Sequence, residues 1–596
     1  MRKDIAFLRQ FGRLFRLYWA NYLFLLLGIN FVIEAIFIPL LTFITSQILA
    51  AGQIPYVSYT NITNILVQHP LASLALLLEL VLLVGLVYFQ FSFLLLGIVN
   101  INHGDFTISN TFKQVLTSLR KLNLTALGFL VGYFMLVLPF ANLIFKTSLL
   151  SKVTIPTFII DFLLNNSIYA CLLGICYLLI FYLGLRLLLT LPLMIIKQQS
   201  AKQAIMTSWN LTKKHNLKTL RRMLVITIIV GFITALGYLA IILLQVAFDN
   251  FASPFNLLTA IVLLSLLQFL ATLSAAFVSF LFLQLVLTKA HLVTNKTFNT
   301  NYKQQLRLTT IGLLGLIIIS SIFNNYFYLH DNTKAPLRIS HRGVDDGNGV
   351  QNTIPALAKT AKLHPDFIEI DLHETKDHQF VVMHDENLKN LTGINKAPHQ
   401  LTLKQLTKLT AYENGHHAKI ASFDDYLAYA NQHSQKLLIE IKTTRFDSPK
   451  LVTNFLAKYQ ANIQKHHHQI HSLDYQVVEQ IKKQAPMLFV SYILPYNFAY
   501  PNTKANAYSM EESTLNESFL INAYLHHQKV YAWTINTEDD INKALWLNVD
   551  GIITDNLSTL DSTITNFYKH PSYADKMFNY LLILPYDNTI ASEASI

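Results

Sequence analysis

The sequence predicts two folds in series: an α-helical membrane bundle of about seven spans, followed by an α/β TIM-type (β/α)8 barrel. Three observations carry this expectation. Of 596 residues, 52% are hydrophobic and only 14% are charged, about half the charged share of an ordinary soluble domain. The apolar excess lies before residue 330, where 22 Lys and Arg face 6 Asp and Glu, a net of +16; residues 331–596 hold 24 against 29, a net of −5. From about residue 336 the texture changes to short β-branched or aromatic runs alternating with helical stretches, as βα units around a parallel sheet require.

Seven runs are long enough to cross roughly 30 Å of hydrocarbon, which takes about 20 apolar residues each. They cover about 20–45, 71–99, 123–145, 167–195, 223–247, 257–287 and 308–328. The basic stretch before the first (Arg2, Lys3, Arg9, Arg13, Arg16) looks like that of a signal peptide. The apolar run after it is too long for one and six more follow, so a retained helix is expected, kinked or ended at Pro39. Lys and Arg number 5 at the N-terminus, then 0 (51–70), 3 (100–122), 2 (146–166), 7 (196–222), 0 (248–256) and 4 (288–307). Cationic loops stay in the cytoplasm, which places the N-terminus inside and, after seven crossings, the polar half outside the cell. Basic residues that flank apolar spans answer to the membrane rather than to nucleic acid. Cys171 and Cys176 both fall in an apolar run, leaving neither a disulfide nor a thiol site in the polar half. Three ionisable residues lie within the spans: Arg186 is placed to snorkel toward the cytoplasm, while Glu34 and Glu79 either line a polar cavity, bind a headgroup or cation, or are hydrogen-bonded carboxyls inside the bundle.

The expected division is a membrane domain over 1–328, a linker over 329–336, a barrel over 337–560 and a C-terminal tail over 561–596. Candidate strands are 337–341, 367–372, 379–383, 437–442, 468–472, 488–492, 529–535 and 549–554, with a further one near 505–509 if one of these is an accessory hairpin. Helices are expected at 354–363, 423–434, 449–464, 474–484, 513–527 and 537–547. An open doubly wound sheet is the alternative, but its nucleotide-binding form is disfavoured because no Gly-rich loop follows the first strand.

Barrel chemistry sits at the C-terminal ends of strands. Four strands end in polar groups: His341-Arg342-Gly343, Glu369 with Asp371, His384-Asp385, and Glu440 with Lys442. Residues two apart on a strand share a face, so Glu369 with Asp371, and Glu440 with Lys442, point the same way. Three carboxylates converging in a barrel mouth suit a hard divalent cation, Ca²⁺ or Mg²⁺. The Lys-His-His-His run at 465–468 reads as a solvated loop despite its look of a metal site.

Together these motifs resemble the glycerophosphodiester phosphodiesterase family. The matching segments are Ser340-His341-Arg342-Gly343, Asn352-Thr353, Ile368-Glu369-Ile370-Asp371, Thr375-Lys376-Asp377, Val381-Val382-Met383-His384-Asp385, Leu438-Ile439-Glu440-Ile441-Lys442, Val530 to Asn536 and Asp550 to Asp555. The N-terminal half is similar to the membrane domain fused to some bacterial members. The resemblance implies hydrolysis of glycerophosphodiesters, from deacylated phospholipid or polyglycerol phosphate, to glycerol 3-phosphate and an alcohol. It implies Glu369, Asp371 and Glu440 as ligands of a divalent cation (Ca²⁺, Mg²⁺ or Mn²⁺) and His341 and His384 as the acid/base pair. Arg342 and Lys442 would hold phosphate, and Trp533 would pack on the glycerol moiety. The chain departs from the family pattern at Gln351, where Glu is common, at the longer turn carrying Asp345 and Asp346, and at His378, which replaces a usual Gly. Two other readings are a non-catalytic receptor for glycerophosphate polymers or headgroups and a lipid transporter with an accessory barrel. Finally, the short tether Leu329–Leu337 enters the barrel at its N-terminal face, which predicts a mouth turned sideways or away from the bilayer unless the apolar stretch Met577–Tyr586 docks and tilts it.

Overall fold

The computed structural model describes residues 2–57, 61–122, 124–141, 147–150, 155–164, 166–213, 216–251, 255–292, 302–325, 334–496, 499–569 and 572–583. Among the described residues six helices are long and apolar enough to cross a membrane: Trp19–Ala51, Pro70–His103, Ser167–Ile196, Leu217–Asn250, Asn256–Lys289 and Leu306–Phe323. A shorter apolar stretch, Thr125–Phe134, stands where the third span is expected; residues 142–145 of that span, 329–333 of the linker and 584–596 of the tail lie outside the described residues. Pro39 does not end the first helix. The five residues Ile33–Phe37 just before it form a π-helical turn and the helix runs on to Ala51; widening the turn absorbs the proline's missing N–H and its ring. Arg186 is buried, its guanidinium 4.3 Å over the Trp209 ring, so it stacks on the 196–222 segment rather than reaching water. The same segment binds the N-terminal helix, because Arg221 (3.0 Å) and Arg222 (3.2 Å) pair with buried Asp4. The expected basic ends of the bundle are thus one physical end.

The barrel closes as predicted, with eight parallel strands. In chain order the eleven strands are β1 (Leu337–Ser340), β2 (Phe367–Glu374), β3 (Phe380–Val382), β4 (Thr410–Glu413), β5 (His416–Lys419), β6 (Leu437–Ile441), β7 (Gln469–Ser472), β8 (Val490–Leu494), β9 (Ala507–Glu511), β10 (Lys529–Trp533) and β11 (Gly551–Thr554). The ring runs β1-β2-β6-β7-β8-β9-β10-β11 and back to β1. The 379–383 candidate is the accessory hairpin, since β3 pairs antiparallel with the end of β2, and the strand near 505–509 is β9. A second hairpin, β4–β5, stands apart from the ring. Ile339, Phe367, Leu438, Ala507, Tyr531 and Ile553 fill the lower barrel, so the polar residues one step further along the strands share the layer above a dry plug. The helix Leu557–Tyr568 runs through the expected boundary at 560.

The barrel lies on its side against the charge-poor end of the bundle. Near its N-terminal face, Met577 and Tyr580 of the helix Tyr573–Ile583 pack with Trp546 on Ala260, Leu263, Leu264 and Leu267, and Asp249 accepts from the Ala574 N–H at 2.9 Å. At its C-terminal face, Tyr56 packs edge-on against Tyr475 (5.3 Å) and Tyr492 (5.1 Å), the Asn502 N–H donates to the Pro55 carbonyl, and Phe158 sits 6.1 Å from Trp533. The mouth is therefore bordered by the membrane half, not turned away from it. Of the expected orientations the sideways one is found, its tilt set by the anticipated docking at Met577 and Tyr580 and by the 53–69 loop.

Candidate functional site

The site begins at the turn after β1. Arg342 takes a left-handed conformation (φ 51), an unusual one for a side-chain-bearing residue, and its backbone N–H is held by Glu369 Oε2 at 2.9 Å. Gly343 follows at φ 70, where a Cβ would lie 2.8 Å from the Tyr426 hydroxyl; only glycine fits without a shift. Asn352, also left-handed (φ 59), locks the turn to β2. It donates to Asp371 Oδ2 at 2.7 Å and accepts from the Asp371 N–H at 3.1 Å.

Register brings the charged layer together. Asp371 pairs with Glu440 across β2 and β6, and Glu440 with His471 across β6 and β7. Glu369, Asp371, Glu440 and His471 are all buried. Lys442 Nζ reaches Asp371 (3.1 Å) and Glu440 (3.0 Å), and Arg342 Nε is 3.7 Å from Asp371. Burial alone would raise the Asp371 pKa, but Lys442, His384 and Arg342 outweigh it and hold that carboxyl well below the usual range. Glu440 goes the other way, pushed up by burial, with Asp371 and Glu369 adding to it. Against the downward pull of burial, Asp371 and Glu440 hold Lys442 above an ordinary lysine.

One ligand atom from each of Glu369, Glu440 and His471 lies within 4.8 Å of the other two. Nε2 of His471, buried and making no hydrogen bond, is 3.4 Å from Glu369 Oε1. A lone pair facing a carboxylate is repulsive unless a proton or a cation stands between them, so this donor set fits a divalent cation. Asp371 belongs to the same layer, but its two oxygens face Lys442 and Asn352.

Each candidate acid/base histidine has Nδ1 on a carboxylate: His341 on Asp555 at 2.7 Å and His384 on Asp385 at 2.9 Å. Such a partner fixes the ring and leaves Nε2 for chemistry. Burial pulls His341 down, yet Asp555, with help from Glu369, leaves its pKa above the ordinary histidine value. Asp555 is lowered to about 2, since His341 and Asn536 overcome its burial. His373, depressed to about 4 by burial, donates from Nε2 to the His384 carbonyl and so fixes the end of that segment. Trp533 closes the opposite side, its indole N–H bonded to the Ser509 carbonyl at 2.8 Å.

The departures from the expected pattern have structural answers. Gln351 accepts from Arg342 Nη1 at 2.7 Å and passes its own amide N–H to Glu413 of the β4–β5 hairpin, which also accepts the Gln351 backbone N–H. The carboxylate missing at 351 is thus supplied one residue further from Arg342. Asp345 caps the last barrel helix through Ser558, and His378 sits at φ 55, a conformation glycine adopts freely. The 465–468 reading needs correction. His468 is 3% exposed, accepts the Leu437 N–H at 2.9 Å through Nδ1 and binds Asn431 through Nε2, so it is a buried joint between β6 and its neighbouring helices. Sequence reasoning missed His471 and Glu413 and gave no role to Asn352 or Asp555.

Two family models match the chain: the membrane domain of glycerophosphoryl diester phosphodiesterase over residues 8–324, and the glycerophosphoryl diester phosphodiesterase family over 341–559. Among similar curated proteins, a glycerophosphodiester phosphodiesterase of Caldanaerobacter subterraneus is 27% identical over 38% of this chain and 96% of its own length. One from Bacillus altitudinis is 25% identical over 36% and 93%. The human lysophospholipase D GDPD1 is 28% identical over 44% and 96%.

Proposed function

Because the chain belongs to the glycerophosphoryl diester phosphodiesterase family, in the form that carries the family's membrane domain, we propose that its barrel is a metal-dependent phosphodiesterase on the outer membrane surface, releasing glycerol 3-phosphate and an alcohol. The observation that carries this reading is the layer in which two cations, Arg342 and Lys442, meet buried carboxylates between two carboxylate-bound histidines.

A phosphodiester anion repels nucleophiles, and charge grows on its phosphoryl oxygens as the new bond forms. Lys442 and Arg342 are fixed beforehand to receive that charge, usually the largest catalytic term. Glu369 and Glu440, with Asp371 or His471 completing the set, would hold the divalent cation, Ca²⁺, Mg²⁺ or Mn²⁺. When bound, that ion adds positive charge beside the phosphoryl group and acidifies a neighbouring hydroxyl. His341 and His384 divide the proton work: one takes the proton of the attacking oxygen, from water or the adjacent glycerol hydroxyl, and the other protonates the departing alkoxide as its bond to phosphorus breaks. Trp533 supplies an apolar wall for the glycerol carbons.

Two experiments test the reading. The purified full-length protein should release glycerol 3-phosphate from soluble diesters, lose this in excess chelator and regain it with a divalent cation; turnover in chelator overturns the metal role. For the membrane side, the loop charges support an extracellular barrel, and the docking of the barrel on the charge-poor end is consistent with that reading. Protease added to intact cells stripped of wall should release a fragment of about 250 residues, and protection until lysis reverses the topology.

A further inference from the structure

A cavity of about 640 Å³ is built by both halves of the chain. Its floor is Glu440 and Lys442 of the candidate site. One wall is the rim after β7, with Asp474, Tyr475 and Glu479; the other is the first outer loop of the membrane half, with Gln53, Tyr56, Asn64 and His69. Tyr56 is fixed there by its edge-on contacts with Tyr475 and Tyr492.

Where this cavity lies on the ring decides what it holds. β6, whose end carries Glu440 and Lys442, and β10, which ends in Trp533, are four strands apart in a ring of eight, and so face each other across the mouth. A diester with its phosphoryl group on Lys442 and its glycerol against Trp533 directs its other ester arm into the cavity. We propose that this cavity is the subsite for the alcohol moiety, that the membrane half's first outer loop is therefore part of the substrate site, and that the preferred alcohol carries an ammonium group. This rests on the phosphodiesterase reading above.

The lining selects the charge. Asp474, Glu479 and Glu386 bring three carboxylates around the chamber, and Tyr56 and Tyr475 bring aromatic rings, the combination that attracts an alkylammonium by charge and by its contact with π faces. A polyglycerol phosphate would place its next phosphate against those same carboxylates and be repelled.

The test uses the full-length protein in detergent with three soluble substrates that share the glycerophosphate: the choline, glycerol and methyl diesters. Wild type should show a choline-to-glycerol ratio of kcat/KM of roughly tenfold, the scale of a cation held by aromatic rings. Glu479→Lys should cut the choline-to-methyl ratio several-fold at low salt, with the effect fading as salt screens it. Asn64→Trp, a substitution at an exposed position of the short helix Ile62–Gln68, should cut the same ratio by filling the chamber from the membrane side. An unchanged choline-to-methyl ratio in both variants, or a wild type that prefers the glycerol diester, overturns the proposal. Failure to hydrolyse any of the three, methyl included, would instead overturn the phosphodiesterase reading.

Discussion

Buried polarity is arranged in opposite ways in the two halves. In the membrane half much of it is dispersed into small clamps: Tyr22 and Gln284 each bond to Asn102, Gln268 and Ser265 share Asn324, Thr45 bonds to Glu79, and Ser148 to Glu34. In the barrel it is concentrated into one layer, where Glu369, Asp371, Glu440, His471 and Lys442 lie against each other at the strand ends. Dispersed pairs hold helices together. A concentrated layer of buried charges, with three carboxylates against one lysine, costs stability and points to a ligand or reaction that offsets it. The contrast teaches that the barrel does the chemistry, while the bundle positions it and lends a loop to its mouth.

The strongest way to break this contrast is to remove the acid/base groups. His341→Ala and His384→Ala should each lower kcat by roughly 10²-fold or more, with thermal unfolding little changed. Near-normal turnover on a diester with a poor leaving group would free that histidine of the role. A smaller effect, roughly tenfold, is expected for Asp555→Asn, because Asp555 orients His341 rather than touching substrate. Removing it leaves burial and Arg342, both of which pull His341 down, so the limb of the pH–rate profile governed by His341 should move to lower pH. A limb that stays in place or moves up would show that Asp555 does not set that pKa.

Much of this layer was legible because strands have a period of two. Ile368-Glu369-Ile370-Asp371 and Leu438-Ile439-Glu440-Ile441-Lys442 alternate apolar and charged residues, and no solvated strand would present its Ile to the helices and its carboxylates to a common interior. His471 escaped notice because it follows a histidine run that reads as surface, though its place at the end of a strand was available. Glu413 sits in a hairpin of polar residues, Thr410–Glu413 and His416–Lys419, that lacks hydrophobic alternation; the Asn414-Gly415 pair was its one signal. The docking of the halves could not be read at all, since periodicity reports which face is buried but not which distant loop covers it.

His468 tests a buried group inside the barrel that belongs to packing rather than to the catalytic layer. His468→Ala leaves the Leu437 N–H without an acceptor and should cost about 1–3 kcal/mol of stability while kcat stays within about twofold. Burial lowers the His468 pKa to about 4, below its unfolded value near 6.5. The unfolded chain therefore binds the extra proton first as pH falls: the stability contribution is full above about 6.5 and is lost on the way down to 4. Melting temperatures of wild type should fall across that window and those of His468→Ala should fall less. Equal slopes would show that His468 is not the titrating group.

The smallest effect is expected at Glu79, and it is the sharpest probe of what the bundle is for. Thr45 donates to Glu79 Oε1 at 2.7 Å between the first two spans. A glutamine there keeps an oxygen for Thr45, so Glu79→Gln should change the melting temperature in detergent very little, and Thr45→Val, which deletes the donor, should cost under about 1 kcal/mol. Neither should alter turnover of a soluble diester, since a clamp acts on helix packing and not on the mouth. Were Glu79→Gln to cut turnover tenfold with melting unaffected, its carboxyl would be serving substrate or an ion, and the division between a dispersed, structural bundle and a concentrated, chemical barrel would fail at that residue.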